Sequence, residues 1–169
     1  MENKKYPLIF VVEDNSVYNK LIVSHLHSHK LTRVETFASG EECLKNLQLK
    51  PDIIIQDYLL EGINGLDVLK ATKKRFPSAE FIFLSGQDSI EVAINSMKYG
   101  AYDYIVKDQF ALKKLTDKIK RIMITQELIT NNKRYKMGIT LFILALAAIA
   151  LVIISLTVFF PKTFSILGN

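Results

Sequence analysis

The sequence predicts an α/β protein built on a parallel sheet, and three observations carry that prediction. Strand-like and helix-like segments alternate strictly over residues 8–124, the order expected when helices cover both faces of such a sheet. Three strand candidates, LIFVV, DIIIQ and EFIFL, are nearly continuous apolar runs, as strands buried on both sides require. Chemically capable side chains stand just past the ends of these runs: Glu13 and Asp14, Asp57, Ser85 and, after YDYIV, Lys107. Strand carboxyl ends in an open parallel sheet border one crevice, so these residues are expected to meet there.

Taken in order, strands are expected over 8–12, 33–37, 52–56, 80–84 and 102–106. The second, RVETF, alternates polar and apolar residues and reads as an edge strand. Helices are expected over 16–28, 39–49, 64–76, 88–99 and from 110 to at least 124. Ser39 and Asp88 are the expected caps, each followed by acidic residues in the first turn, while Pro77 and Gly100 end the helices before them. The last helix carries Leu112, Leu115, Ile119, Ile122 and Met123 on one stripe and its lysines on the other face.

The chain has 169 residues and a formal charge of +5, unevenly placed. Residues 1–112 hold 13 basic and 15 acidic side chains, whereas residues 113–136 hold eight and two. Basicity therefore gathers in one late stretch, which argues against nucleic acid as a partner, since DNA readers place it on a recognition element. The single cysteine, Cys43, forms no intrachain disulfide, fits a reducing compartment and is expected to pack as a small apolar residue. The start MENKKYPLIF is too short in apolar residues for a signal peptide, so the amino-terminal domain is expected in the cytoplasm.

A second feature lies at the other end. GITLFILALAAIALVIISLTVFF, residues 138–160, contains 23 residues without a charge. At the helical rise that is about 34 Å, against a hydrocarbon core of about 30 Å. Lys133, Arg134 and Lys136 precede it and only Lys162 follows, which puts the amino-terminal side in the cytoplasm. The expected layout is a soluble domain over 1–125, a basic juxtamembrane linker over 126–137, one transmembrane helix over 138–160 and a short non-cytoplasmic tail over 161–169. Ala145, Ala147, Ala148 and Ala150 would permit helix contacts, but without a GxxxG motif a span-mediated homodimer stays an open alternative.

Three carboxylates, a hydroxyl and an ammonium in one crevice suit a phosphoryl acceptor. A carboxylate such as Asp57 can attack phosphorus to form an acyl phosphate, provided charge on the transferring oxygens is neutralised. Glu13 and Asp14 would repel each other unless a cation intervened, and Mg²⁺ with oxygen ligands is the natural occupant. Lys107 would hold a phosphoryl oxygen, and Ser85 could donate its hydroxyl to another.

These residues, in this order and each at a strand end, make residues 6–125 resemble the receiver domain of two-component response regulators. The segments DYLLEGINGLDVL and GAYDYIVKD add to the likeness, with Gly65 at the family's glycine position. The resemblance implies a flavodoxin-like, doubly wound five-stranded sheet in the order 2-1-3-4-5, here with one added carboxyl-terminal transmembrane helix. It implies Asp57 as phosphoacceptor, and Mg²⁺ on Asp14, Asp57 and the Leu59 backbone carbonyl, with Glu13 acting through water. Ser85, Tyr104 and Lys107 would bind the phosphoryl group and switch the surface of the fourth helix, fifth strand and fifth helix. The implied donor is a phosphohistidine on a sensor histidine kinase or a histidine phosphotransfer protein. The expected protein is a stand-alone receiver on the bacterial inner membrane, signalling by protein contacts and not acting as an enzyme beyond its own phosphorylation and dephosphorylation.

Two positions depart from the family pattern. Asp108 replaces the proline after the lysine, and Leu60-Glu61 replaces Met-Pro after the acceptor, which removes a stiffening proline and adds a carboxylate. Leu59 and Gln87 border the phosphoryl position in the family, and apolar Leu59 is expected to hinder the hydrolytic water. Two alternatives accompany this reading. One is a pseudo-receiver that only tethers a partner; the other is a phosphatase using Asp57, disfavoured because Leu59 stands where a second acid belongs. His25, His27 and His29 read as a polar helix end in preference to a metal site.

Overall fold

The computed structural model describes residues 6–159. Five parallel strands form one sheet in the order β2-β1-β3-β4-β5: β1 Ile9–Val12, β2 Val34–Phe37, β3 Ile53–Gln56, β4 Glu80–Ser85 and β5 Asp103–Val106. The connecting helices are α1 Ser16–Ser28, α2 Gly40–Lys45, α3 Gly65–Arg75, α4 Ile90–Lys98 and α5 Ala111–Phe159. This is the doubly wound, flavodoxin-like architecture the sequence predicts, with RVETF at an edge.

Alternation along the strands builds two cores. Ile9, Val11, Ile53, Ile55, Ile82 and Leu84 face α1 and α5, where Ile22, Leu26, Leu115, Ile119 and Ile122 close over them. Phe10, Val12, Ile54, Phe81 and Phe83 face the other way, against Cys43, Leu47, Val68 and Leu69. Each such buried side chain contributes about 1.5–3 kcal/mol against exposure, so both faces hold the strand ends in fixed register. Burial also pushes the Cys43 thiol up to about 12. Its packing role is as expected.

Several element ends differ from the sequence reading. The cap of α4 is Ser89, whose hydroxyl accepts from the Val92 amide, and not Asp88. Ser39 does cap α2, but that helix stops at Lys45 and gives way to a 3-10 turn over Leu47–Leu49, with Asn46 donating its side-chain amide to the Glu42 carbonyl. β1 starts one residue late because the Leu8 amide is taken by the Asp52 carboxylate at 2.8 Å.

The chain divides into two compact units between Met123 and Ile124. In the second unit the helix continues through 126–137, the interval expected to be a linker. Tyr135–Leu156 is long and apolar enough to cross a membrane, and none of it is buried. The tail expected over 161–169, together with Phe160, lies outside the described residues.

Candidate phosphoryl-acceptor site

The site follows from strand register. Val12 pairs with Gln56 and Ser85 with Val106, so the residues after them emerge side by side at the carboxyl edge. The Asp57 amide donates to the Val12 carbonyl at 2.9 Å, and the Lys107 amide to the Ser85 carbonyl at 2.7 Å. Residues separated by up to 94 positions are thereby brought into contact.

Lys107 lies at the centre. Its Nζ donates to Asp57 Oδ2 at 2.6 Å and to Glu13 Oε2 at 2.8 Å, and it sits 4.5 Å from the centre of the Tyr18 ring. Glu13 is 3% exposed and Asp57 8%, while Asp14 is open to solvent. Carboxylate oxygens of Glu13, Asp14 and Asp57 lie within 4.8 Å of one another, a grouping able to hold a metal ion. A cluster of oxygen donors, two of them buried, suits a hard divalent cation. Burial raises the Glu13 carboxyl above its ordinary 4.5, against the opposing pull of Lys107. For Lys107 burial works downward, but hydrogen bonds to Asp57 and Glu13 outweigh it and hold the ammonium above its ordinary 10.5.

The remaining expected residues surround this group. Ser85 is fully buried, and its Oγ accepts from the Gln87 amide at 3.1 Å. Tyr104 is half-buried between Phe83 and Tyr58 and donates its hydroxyl to the Gln87 carbonyl at 2.8 Å. Both side chains therefore hold the same residue of the β4–α4 loop. The Leu59 side chain is 58% exposed at the rim, and its amide donates to Asp57 Oδ1 at 3.0 Å. After Lys107 the peptide is trans; Asp108 accepts from the Phe110 amide at 2.8 Å and from Lys114 at 2.7 Å. An aspartate-centred turn thus occupies the place of the family's proline.

Residue reading missed Tyr18 and Asn19. Both sit on the first turn of α1, where Asn19 Nδ2 donates to the Glu13 carbonyl at 3.3 Å. The position, one helical turn after an acidic pair, was visible; that the ring would lie under Lys107 depended on the sheet. His25 Nε2 meets Thr116 Oγ1 at 2.8 Å, and since Thr116 donates its hydroxyl to the Leu112 carbonyl, His25 is the donor that ties α1 to α5.

The response regulator receiver domain family matches residues 9–120. The chain belongs to this family. Among relatives of the receiver, an NtrX-like protein of Rickettsia felis, named as a response regulator, is 37% identical over 116 residues, 67% of this chain and 24% of that protein. The DNA-binding transcriptional regulator NtrC of Escherichia coli is 32% identical over 101 residues, 59% of this chain and 21% of that protein. The chain thus matches less than a quarter of the length of these curated relatives. Among solved structures, the BeF3-activated receiver domain of DrrB superposes with a TM-score of 0.64 at 26% identity, covering 70% of this chain and 97% of that one. The DrrB response regulator of Thermotoga maritima, an OmpR/PhoB homolog, gives 0.63 at 26% identity, covering 70% of this chain and 52% of that one.

Proposed function

We propose that this receiver takes a phosphoryl group onto Asp57 from a phosphohistidine on a sensor histidine kinase or a histidine phosphotransfer protein. The observation that carries the reading is the Lys107 ammonium, 2.6 Å from Asp57 Oδ2, beside three clustered carboxylates. An Asp57 oxygen attacks phosphorus as the phosphorus–nitrogen bond breaks, the electron pair leaves with the imidazole, and an acyl phosphate results. Asp14, Asp57 and the Leu59 carbonyl would hold Mg²⁺, with Glu13 acting through water; when bound, the ion neutralises charge on the transferring oxygens. Lys107 moves its contact from the free carboxylate to a phosphoryl oxygen, staying protonated throughout.

The switch is built from Ser85 and Tyr104. Ser85 Oγ accepts from the Gln87 amide, so turning its hydroxyl to donate to a phosphoryl oxygen draws the Gln87 segment with it. Tyr104, bonded to the same residue, then changes position, and the surface of α4, β5 and the start of α5 changes with it.

The layout proposed is a receiver over 1–125, a basic linker over 126–137 and one membrane span over 138–160, with the receiver on the cytoplasmic side of a bacterial inner membrane. Support comes from the apolar stretch Tyr135–Leu156 and from Lys133, Arg134 and Lys136 around its start. The pseudo-receiver reading has one observation in its favour: Asp108 and Glu61 stand where the family has prolines. The two are separated by incubating the chain with a small-molecule phosphodonor and Mg²⁺ and weighing it intact. One added phosphoryl group, absent in Asp57→Asn, is expected. No mass gain in the wild type leaves only the tether.

A further inference from the structure

Without the family's proline, the loop between Asp57 and α3 needs another restraint, and it carries Gly62 at a φ of 90°. The first turn of α2 supplies that restraint. Glu41 Oε1 accepts from the Ile63 amide at 2.8 Å. Gly62 lies so close that a Cβ there would come within 2.6 Å of the same oxygen, and a Cβ on Gly40 would meet Ile63 Cγ2 at 2.5 Å. Two glycines thus let the loop and the helix close on each other. The turn that presents Glu41 is itself fixed: Ser39 caps the Glu42 amide, Glu42 Oε2 accepts from the Ala38 amide at 3.0 Å, and Cys43 is buried under the sheet. At the other end of the loop, Asp57 Oδ1 holds the Leu59 amide.

We infer that Glu41 is a positioning residue for the acceptor loop, its carboxylate holding the Ile63 end so that the Leu59 end stays placed to complete a divalent-cation site. The inference rests on the metal-dependent reading above. A carboxylate–amide bond at an exposed site adds little to global stability, so its loss is expected to show in loop order and cation affinity before it shows in unfolding.

The experiment uses the full chain in detergent micelles. Exchange of the Ile63 amide is measured without metal, Mg²⁺ binding is followed by tyrosine fluorescence, since Tyr58 adjoins Asp57 and the chain lacks tryptophan, and thermal unfolding is recorded in parallel. Glu41→Ala is expected to speed Ile63 exchange and to raise the Mg²⁺ midpoint by about three- to tenfold, below the usual effect of an outer partner because the bond is exposed. Its unfolding midpoint should be unchanged, and Glu41→Gln, which keeps an acceptor, should recover most of both losses. An alanine variant with the wild-type Mg²⁺ midpoint overturns the inference. So does a glutamine variant as weak as alanine, which would make the effect one of charge alone, or a matching fall in unfolding midpoint. A wild type that shows no Mg²⁺ response sinks the functional reading and this inference together, and Ile63 exchange then still reports whether the clamp itself exists.

Discussion

Glu13 and Lys107 share one ion pair yet stand unequally in it. Lys107 collects two carboxylates, whereas Glu13 is buried, has half of one ammonium, and feels Asp57 and Asp14 nearby. The folded metal-free protein therefore binds a proton on Glu13 more readily than the unfolded chain does. By linkage, that contribution to stability is complete below the ordinary 4.5 and is lost as pH rises through the raised folded value. Glu13→Gln should be more stable than the wild type at neutral pH without metal, with the difference shrinking toward pH 4 as an approximate lower limit. Denaturant titrations across that range test it; a constant difference would remove Glu13 as the cause. At the rim, Leu59→Asn is expected to lose its phosphoryl group faster by about tenfold, less than a full general base because the amide only orients water. Equal or slower loss from the variant would show that Leu59 does not shield the acyl phosphate.

Among the elements, the helix starts show which local signals were strong enough to be read. Ser39 and Ser89 both place a hydroxyl on an amide three residues ahead, but Ser89 has Asp88 before it, and composition alone favoured the acid. Ser89→Ala should cost about 0.5–1 kcal/mol by chemical denaturation and Asp88→Ala about 0.3 kcal/mol or less. A larger loss from the aspartate would reassign the cap. α2 ended early because Leu47 must turn down into the sheet, which the tighter 3-10 geometry accomplishes with Lys50 leaving at a φ of 57°. Periodicity over so few residues could not distinguish that turn from one more α-helical turn. The five strands were legible because double-sided burial writes unbroken apolar runs, and their order came from the family likeness.

For the whole molecule, the proposed tether would confine encounters with partners to the plane of a bilayer. The anchoring proposal predicts that the full chain stays with membranes through an alkaline carbonate wash, while a chain ending at residue 125 is released. Release of the full chain would reduce the apolar helix to a protein-contact surface.

Composition and order alone determined the alternating α/β plan, the two-faced burial of LIFVV, DIIIQ and EFIFL, and the set Glu13, Asp14, Asp57, Ser85 and Lys107 at strand ends, because each is written in local runs of polarity. Tertiary structure decided what those residues touch. That Lys107 bridges Glu13 and Asp57 over Tyr18, that Ser85 and Tyr104 grip one residue, and that Glu41 reaches Ile63 all depend on register and on helices packed across the sheet. Side-chain contacts between distant segments are set by how apolar faces stack, and no single segment carries that information.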